Sequence, residues 1–514
     1  MLPSTSALSP LNRLLQQADQ AWNSRDYQQC FEQMERASLM APANPQILLT
    51  LGHRYGLRWQ TAKAKSCFER AARAAGNPAE TLATAGRLAA ESFNHELAEY
   101  FFRQALAQKK VTSDTIARLA ELYERGRRPQ DAAALVARAL YLDPICPLAR
   151  LTQAKLHRQT GKFVEAEAVL RPVLTNPNRE MRVRGYYELG ALYDRQGRYD
   201  EAMAASLQAK SFFLPDATPL LARREFAHQQ LKQVHDNMSA DVLARWLDTG
   251  RETLQPLHRL AYLGGHARSG TTLLEQALDA HPDIVSAEET TIIENEAYAT
   301  LRAAVPNETT MLAGLVGASV DTLRTARQRY FQSMSDCLGV PLDSRLFIDK
   351  NPSFQALIIT YIRFFPEARL MIALRDPRDV VMSCFMLPHW PLSTGNVMFL
   401  SLETTVKAYT RAMDNWQTLK PMVKNPWLEI RYEDMVDDLE SVLRKTLDFL
   451  GLDWDAKVLG FEAHARKKTL RSPTYSDVAQ PVYQRARGRW KNYQKYLEPH
   501  LEMLEPLVKA FGYE

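Results

Sequence analysis

A pattern that recurs about every 34 residues covers residues 10–215 of the 514-residue chain. One position of the pattern holds a small residue in successive copies, at Gly52, Gly86, Ala120, Ala154 and Gly190. Twelve residues later a second position is always alanine, at Ala64, Ala98, Ala132, Ala166 and Ala202. Small residues at both positions let paired helices approach closely, and bulky residues such as Phe68 and Phe102 fill the gaps between pairs. The pattern therefore predicts an all-α array of stacked helical hairpins.

The period and the alternation of small and large residues resemble those of the tetratricopeptide repeat. The resemblance implies a solenoid of about six repeats over residues 10–215, with a concave groove that binds an extended peptide or another protein. Two other uses of the array stay open, because no single groove residue identifies a ligand. The array could dimerise the protein, or it could brace a second domain.

Residues 216–256 are predicted to form a helical connector between this solenoid and a second domain at residues 257–514. The mixture of apolar and charged residues from Leu220 to Val234 is typical of a helix packed between two parts of a protein. We expect the connector to break in the polar stretch from Asp236 to Asp241.

The second domain opens with an apolar segment, a glycine-bounded turn and a helical pattern. Leu260–Leu263 has the composition of a buried strand. A turn that leads from a strand into a helix directs backbone N–H groups and the positive end of the helix dipole at an anion. Gly265 and Gly270 have the spacing of a nucleotide P-loop, but Thr271 stands where an NTPase needs lysine. A 5′-phosphate with one further group fits this turn better than a triphosphate, and a turn without any ligand is the alternative.

Further apolar segments, each followed by a helical pattern, predict additional strands. They are Ile284–Val285, Leu346–Asp349, Arg369–Leu374 and Trp427–Arg431. Strands that alternate with helices predict a parallel sheet with helices on both faces. Ligands bind such sheets beyond the carboxyl ends of the strands. Arg268, Lys350, Arg375 and Tyr432 all fall at these ends, which favours a functional site over a set of solvated charges.

Composition limits the partners and the location. The 64 basic and 59 acidic residues leave a net charge of only +5, which argues against nucleic acid or a membrane as a partner. The first thirty residues contain no long apolar run, so we expect neither a signal peptide nor a membrane anchor. The five cysteines are scattered without metal-ligand spacing. This is typical of reduced thiols in a cytoplasmic protein and predicts no metal site.

Two anion-binding motifs establish a family resemblance for residues 257–514. His266–Thr272 and Arg375–Ser383 match the 5′-phosphosulfate loop and the 3′-phosphate site of sulfotransferases that use 3′-phosphoadenosine 5′-phosphosulfate (PAPS). Asp349–Pro352 and Gly488–Trp490 match further segments of these enzymes. Within that superfamily the chain most resembles the tyrosylprotein sulfotransferases and their bacterial relatives with N-terminal tetratricopeptide repeats. The resemblance implies a multidomain protein, in which an all-α solenoid precedes an α/β sulfotransferase domain with a P-loop-like turn.

The resemblance also implies which residues hold the donor. Those at the 5′-phosphosulfate would be Arg268, Ser269, Gly270, Thr271 and Thr272. Those at the 3′-phosphate and along the nucleotide would be Arg375, Ser383, Tyr432 and Arg489. An arginine suits the 3′-phosphate because its planar fork matches paired phosphate oxygens.

The same resemblance implies the catalytic residues. Lys350 would neutralise the bridging oxygen as the sulfuryl group leaves. Glu289 falls where the tyrosylprotein enzymes carry their general base, with Glu288 or His266 as the alternatives. Thr474 occupies the position of their late serine near the sulfate, and with Arg268 and Lys350 it would complete the catalytic set. No metal would be required, since these two cationic side chains supply the positive charge that transfer of such a group needs.

One departure concerns the acceptor. The tyrosylprotein enzymes carry an arginine four residues after the serine that matches Ser383, whereas this chain has Leu387. A hydroxyl acceptor is expected, but protein tyrosine, peptide, glycan and small metabolite all stay open. Because the groove is far larger than a metabolite needs, we expect the repeats to deliver a peptide or protein. Two other functions also stay open: a P-loop kinase or NTPase, and a repeat scaffold with an inert α/β domain.

Overall fold

The computed structural model describes residues 9–304, 311–352, 358–465 and 484–513. The chain divides into two compact units, Met1–Leu156 and His157–Glu514. The first unit consists of helical repeats. The second contains the remaining repeats, the connector and the α/β domain.

Helices of the first unit pack in successive pairs. They are α1 (Pro10–Asn23), α2 (Tyr27–Met40), α3 (Pro45–Leu57), α4 (Thr61–Ala74), α5 (Pro78–Glu91), α6 (His95–Leu106), α7 (Ser113–Arg125) and α8 (Pro129–Leu142), and α9 (Pro147–Gln159) runs into the second unit. Close packing within a pair explains the small residues of the repeat. A Cβ atom on Gly52 would lie 2.6 Å from the ring of Phe68, and one on Gly86 would lie 2.8 Å from the ring of Phe102.

The turns between the two helices of the repeats close in the same way. In the described chain a residue with positive φ occupies this turn at Arg25, Trp59, Phe93, Arg127, Gly161 and Gly197. The next N–H donates to a carbonyl five positions earlier, as from Asp26 to Ala21 at 2.8 Å. This is the hydrogen-bond pattern of a Schellman helix ending. The turns follow the period of the sequence and confirm the tetratricopeptide-like array.

The second unit starts with helices that complete the repeats and form the connector. They are α10 (Phe163–Leu174), α11 (Arg179–Arg195), α12 (Tyr199–Ser211), α13 (Leu214–Asp236) and α14 (Ala240–Thr253). The break between α13 and α14 falls at residues 237–239, inside the stretch where it is expected. Ser239 ends the break, because its side chain accepts from the N–H of Val242 and caps α14.

Five parallel strands form one sheet in the second unit. They are β1 (Leu260–Gly265), β2 (Ile284–Glu288), β3 (Leu346–Lys350), β4 (Arg369–Leu374) and β5 (Trp427–Arg431), in the spatial order β2-β3-β1-β4-β5. The other helices of this unit are α15 (Thr271–Asp279), α16 (Tyr298–Ala304), α17 (Met311–Gly317), α18 (Val320–Leu338), α19 (Ile358–Phe364), α20 (Pro377–Met386), α21 (Leu402–Leu419), α22 (Tyr432–Asp437), α23 (Leu439–Leu450), α24 (Phe461–Ala465), α25 (Gln494–Leu497) and α26 (Leu501–Ala510). The predicted parallel α/β sheet is confirmed.

The register of the sheet brings the strand ends together. β1 is central, and its Leu263 lies beside Lys350 of β3 while its Gly265 lies beside Ala373 of β4. On the other side of β3, Glu288 of the edge strand β2 lies beside Lys350. The segments that follow these strands therefore leave from one edge of the sheet, where a ligand site is expected.

The last repeat shares a hydrophobic core with the α/β domain. Val183 of α11 and Phe213 cluster with Leu400, which lies in a short 3₁₀ helix before α21. Lys210 of α12 is only 2% exposed and donates to the carbonyl of Phe399 in the same segment. Burial lowers the pKa of Lys210 to about 7. These contacts make α11 and α12 part of the fold of the second unit.

One buried acid in the sheet makes stability depend on pH. Asp349 of β3 is fully buried, and its Oδ2 accepts from the hydroxyl of Tyr330 at 2.6 Å. Its Oδ1 is buried without a hydrogen-bond partner among the described residues. Burial raises the pKa of Asp349 to about 7. The folded chain therefore keeps a proton on Asp349 at a pH where the unfolded chain has lost it, and stability falls as the pH rises from about 4 to about 7.

We predict that Asp349→Asn removes this pH dependence. Asparagine stays neutral and still accepts from Tyr330. The free energy of unfolding of the variant, relative to that of wild type, should therefore increase by about 2–3 kcal/mol between pH 5 and pH 8. Chemical denaturation at several pH values measures the difference. Parallel pH curves for the two proteins would show that Asp349 does not titrate in this range.

Candidate active site

The turn between β1 and α15 requires two glycines. Gly265 and Gly270 have φ of 121° and 91°, values that residues with a side chain rarely adopt. Space is also missing: a Cβ atom on Gly265 would lie 2.4 Å from the carbonyl oxygen of Ala373, and one on Gly270 would lie 2.7 Å from the ring of Tyr432. Arg268, between them, has φ of 74°. The turn is therefore held in a strained form that brings its backbone close to β4 and α22.

The start of α15 is suited to an anion. Gly270 is the N-cap residue, and among the described residues no side chain caps the first turn. α20 differs, because the side chain of its N-cap residue Asp376 accepts from the N–H of Arg378. The first turn of α15 also contains no acidic residue. The positive end of this helix dipole is thus left to a ligand at the turn.

Two arginines and a serine connect the ends of β1 and β4. Arg268 Nε donates to Ser383 Oγ at 2.9 Å. Arg375 Nη1 donates to the carbonyl oxygen of Arg268 at 3.2 Å, and Arg375 Nη2 donates to the carbonyl of Ala486. The guanidinium of Arg375 also lies 4.7 Å from the centre of the Tyr432 ring. These contacts place both guanidinium groups, the turn and Ser383 of α20 in one basic site.

Arg375 has capacity for a further acceptor. It is 6% exposed, and its Nε is buried without a hydrogen-bond partner among the described residues. Its nearest acid is Asp379, at 3.7 Å from Nη2. That carboxylate is itself used twice, since it accepts from the N–H groups of Gly488 and Trp490 at 2.7 and 2.8 Å. The site therefore keeps more donors than its own acceptors occupy, which suits an anion such as phosphate.

A buried lysine ends β3, and three carboxylates surround it. Lys350 is fully buried, and its Nζ donates to Glu289 Oε1 at 2.8 Å and to Glu288 Oε1 at 3.4 Å. Glu275 of α15 supplies the third carboxylate, with Oε2 at 3.5 Å from the same Nζ. The backbone supports this arrangement, because the N–H of Glu289 donates to the carbonyl of Lys350 at 2.8 Å. We call these four residues the Lys350 cluster.

The charges of the Lys350 cluster depend on one another. Burial alone lowers the pKa of Lys350, but the charges of Glu289, Glu275 and Glu288 outweigh burial, so the pKa of Lys350 is raised. Burial also raises the pKa of Glu275 to about 7, with Lys350 opposing this shift. At neutral pH the ammonium is therefore charged, while Glu275 is close to the midpoint of its titration.

His266, a candidate base in the turn, is part of the protein interior. Its ring is 7% exposed, packs 5.0 Å from the ring of Tyr409, and places Nδ1 2.9 Å from the carbonyl oxygen of Ala267. Burial lowers the pKa of His266 to about 4, so the imidazole is neutral at neutral pH. Its contacts are those of a residue that supports the turn.

The comparisons with known proteins agree with this geometry. Residues 261–456 match the model of the sulfotransferase family, and residues 183–212 match that of the tetratricopeptide repeat. The chain joins tetratricopeptide repeats to a sulfotransferase-family domain. The match to the sulfotransferase family begins in β1 and ends after α23. It therefore contains the glycine-bounded turn, Arg268, Arg375 and the Lys350 cluster.

Relatives of known sequence are distant. Protein-tyrosine sulfotransferase 1 of Danio rerio is 26% identical over 50% of this chain and 72% of its own length. An uncharacterised protein of Aquifex aeolicus (strain VF5) is 23% identical over 66% of this chain, and the match spans 43% of that protein. Among solved structures, the sulfotransferase domain from the Synechococcus PCC 7002 olefin synthase has 21% identity and a TM-score of 0.36, and the likeness covers 51% of this chain and 98% of that domain.

The sulfotransferase domain gathers most of the residues singled out in the sequence, and they meet in two groups. Contacts link Ser383 to Arg268, Arg268 to Arg375 and Arg375 to Tyr432, and Ser269, Thr271 and Thr272 of the glycine-bounded turn are buried. Lys350 and Glu289 form the second group. Arg489 contacts the last repeat instead, through an ion pair with Asp194 at 2.7 Å. Thr474 lies outside the described residues.

Sequence reasoning missed Glu275 as a member of the site. Glu275 lies in the middle of α15, outside the apolar stripe of Leu273, Leu274, Ala277 and Leu278, where the spacing predicts a solvent-exposed side chain. In the structure this side of the helix is buried as well, so the carboxylate needs a partner that the helical pattern does not indicate. Glu288 was considered only as a substitute for Glu289, whereas both contact the same ammonium.

Within the described parts of the chain, no cluster of three or more His, Cys, Asp or Glu residues is arranged to hold a metal ion. The helices described there are also too short or too polar to cross a membrane.

Proposed function

We propose that this protein transfers a sulfuryl group from PAPS to a hydroxyl group of a peptide or protein, with tyrosine as the acceptor side chain. The observation that carries the proposal is the joined pair of cationic sites. Arg268 at the turn and Arg375 at the end of β4 are connected by a hydrogen bond, and Nε of Arg375 has no hydrogen-bond partner among the described residues. A donor with a charged group at each end fits such a pair.

The residues of the turn fit the 5′ end of the donor. Arg268 and the N–H groups of residues 269–272 would bind the phosphosulfate against the start of α15. Arg375 and Ser383 would bind the 3′-phosphate, using the guanidinium Nε of Arg375, which has no partner in the described parts of the chain. Because Arg268 also donates to Ser383, the two ends of the donor would be held in a fixed relation. This positioning is the main contribution that a protein makes to such a transfer.

The Lys350 cluster would carry the chemistry. PAPS supplies the sulfuryl group, which passes to the acceptor oxygen as the bond to the phosphate oxygen breaks. Glu289 would accept the proton of the acceptor hydroxyl, and its side chain is 35% exposed and can reach an acceptor. Lys350 would donate a hydrogen bond to the departing phosphate oxygen. The base and the charge that stabilises the leaving group are thus already in contact, at 2.8 Å.

The repeats would bind the acceptor. Within the first unit, a cavity of about 330 Å³ lies between α5 and α7. Its polar lining contains Asn77, Glu80, Arg87, Lys110, Asp114 and Arg118. Side chains of both signs beside a helical solenoid suit an extended peptide, whose backbone and side chains offer donors and acceptors. Remote binding of this kind would raise the local concentration of a hydroxyl group near Glu289.

Arg375→Ala tests the donor. Loss of a buried charge-assisted contact should weaken binding of 3′-phosphoadenosine 5′-phosphate by ~2–4 kcal/mol. Isothermal titration calorimetry measures this affinity, and ATP in place of the nucleotide tests the kinase alternative. Arg444→Ala is the matched control, because Arg444 is an exposed arginine paired with Glu440. Equal affinity of wild type and Arg375→Ala would contradict the proposed site.

Glu289→Gln tests the base. Glutamine keeps the shape of the side chain but cannot accept the proton, so kcat should fall by ~10²–10⁴-fold while the affinity for the nucleotide survives. Transfer of labelled sulfate from PAPS to tyrosine-containing peptides provides the measurement. Glu462→Gln is the control, because it makes the same substitution at a glutamate of α24 that lies outside the Lys350 cluster, and it should leave kcat unchanged. Full activity of Glu289→Gln would move the base to another residue.

A shortened chain tests the role of the repeats. A chain that begins at Pro147 keeps α9 whole and retains α11 and α12, which share a core with the sulfotransferase domain. It should bind the nucleotide as the full chain does, whereas kcat/KM for the natural acceptor should fall because the groove is lost. Sulfate transfer in a cell lysate, with each chain added separately, identifies that acceptor. Equal kcat/KM for both chains would refute delivery by the repeats.

A further inference from the structure

Glu275 is the least exposed of the three carboxylates in the Lys350 cluster. It is 1% exposed, whereas the side chains of Glu288 and Glu289 are 10% and 35% exposed. It also comes from a different element, since it lies in α15 while the other two glutamates follow one another at the end of β2. None of the motifs that carry the family resemblance includes it.

The position of Glu275 is fixed by its hydrogen bonds. Its Oε1 accepts from Ser286 Oγ at 2.8 Å. Ser286 is itself held, because its N–H donates to Asp279 Oδ1 at 2.8 Å. Asp279 in turn contacts His464 Nε2 at 2.5 Å. These hydrogen bonds fix the carboxylate of Glu275 in a buried position beside Lys350.

A count of charges shows why this matters. The three carboxylates outnumber the single ammonium, and the interior disfavours the excess negative charge. In the proposed reaction Glu289 gains the proton of the acceptor and loses its negative charge. Its attraction for Lys350 weakens at the moment when the ammonium has to stabilise the leaving oxygen. A carboxylate that keeps its charge during this step would hold Lys350 in place.

We propose that Glu275 is a positioning residue that holds the ammonium of Lys350 in place while Glu289 takes up the proton of the acceptor. This role rests on the proposed sulfuryl transfer. Glu275 performs it only when ionised, so the hold on Lys350 strengthens as the pH rises through about 7. The charged and titratable acids and bases that face Glu275, or belong to the elements packed on α15, are Lys350, Glu288, Glu289, Asp279, Asp349, Glu462, His464 and Lys457.

Glu275→Gln is the first test. Glutamine keeps the volume and still accepts from Ser286, but it carries no charge. We expect kcat to fall by ~10–100-fold at pH 8, as for a misplaced catalytic group. We expect kcat of the wild type to rise around pH 7, and this rise should disappear in Glu275→Gln, while the affinity for 3′-phosphoadenosine 5′-phosphate stays the same. Glu275→Asp, which restores the charge, should regain the pH-dependent rise.

A measurement without substrate tests the titration directly. Infrared difference spectroscopy of the ligand-free full-length chain should show a protonated carboxylic acid at pH 6 that disappears by pH 8. Asp349 contributes a similar signal, so the difference between wild type and Glu275→Gln isolates Glu275. Glu188→Gln is the matched control, because Glu188 is a buried glutamate paired with Arg158 outside the site. It should change neither the spectrum nor the kinetics.

Ser286→Ala gives a second test if Glu275→Gln does not fold. The hydroxyl of Ser286 lowers the pKa of Glu275, so its removal should move the rise of kcat to higher pH. An unchanged pH profile in both variants, or normal kcat in Glu275→Gln, would overturn the positioning role alone. Absence of sulfate transfer by the wild-type chain to a library of tyrosine-containing peptides would overturn the proposed function together with this role.

Discussion

The buried ammonium of Lys350 is the interaction on which the proposed site depends. A lysine that is fully buried is stable only with charged partners, and the three glutamates around it supply them. They come from two elements, so the ion cluster joins the end of β2 to the helix that follows the glycine-bounded turn. The same turn carries Arg268. The charge of Lys350 thus couples the position of the expected base to the position of the anion site.

Much of the fold could be predicted from the sequence, because it follows from local patterns. The period of small residues predicted the repeats, and apolar segments with polar residues at their ends predicted β1, β3, β4 and β5. The turns of the repeats show where local reasoning ends. Four of the six residues with positive φ are not glycine, at Arg25, Trp59, Phe93 and Arg127. The period of the sequence makes these positions equivalent, but only the folded helix endings show that each of them adopts a positive φ.

The parts that sequence reasoning could not predict depend on contacts between distant residues. Glu275 and Lys350 are 75 positions apart in the sequence, and nothing in a helical pattern identifies such a partner. The place of the last repeat is a second case. Asp194 pairs with Arg489 and accepts from Tyr493, which ties α11 to the end of the chain. The resemblance assigns Arg489 to the nucleotide, and this assignment stays a prediction. The ion pair with Asp194 also lets Arg489 join the last repeat to the sulfotransferase domain.

Backbone strain marks the same two groups of residues. Outside the repeats, the described residues other than glycine with positive φ are Arg268 and Glu289, at 74° and 47°. Such conformations persist only where the surroundings impose them. Arg375 donates to the carbonyl of Arg268, and the N–H of Glu289 donates to the carbonyl of Lys350. The strained backbone points each functional side chain toward its partner, so the residues proposed to bind the donor and to accept the proton are those whose conformations the fold stabilises at a cost.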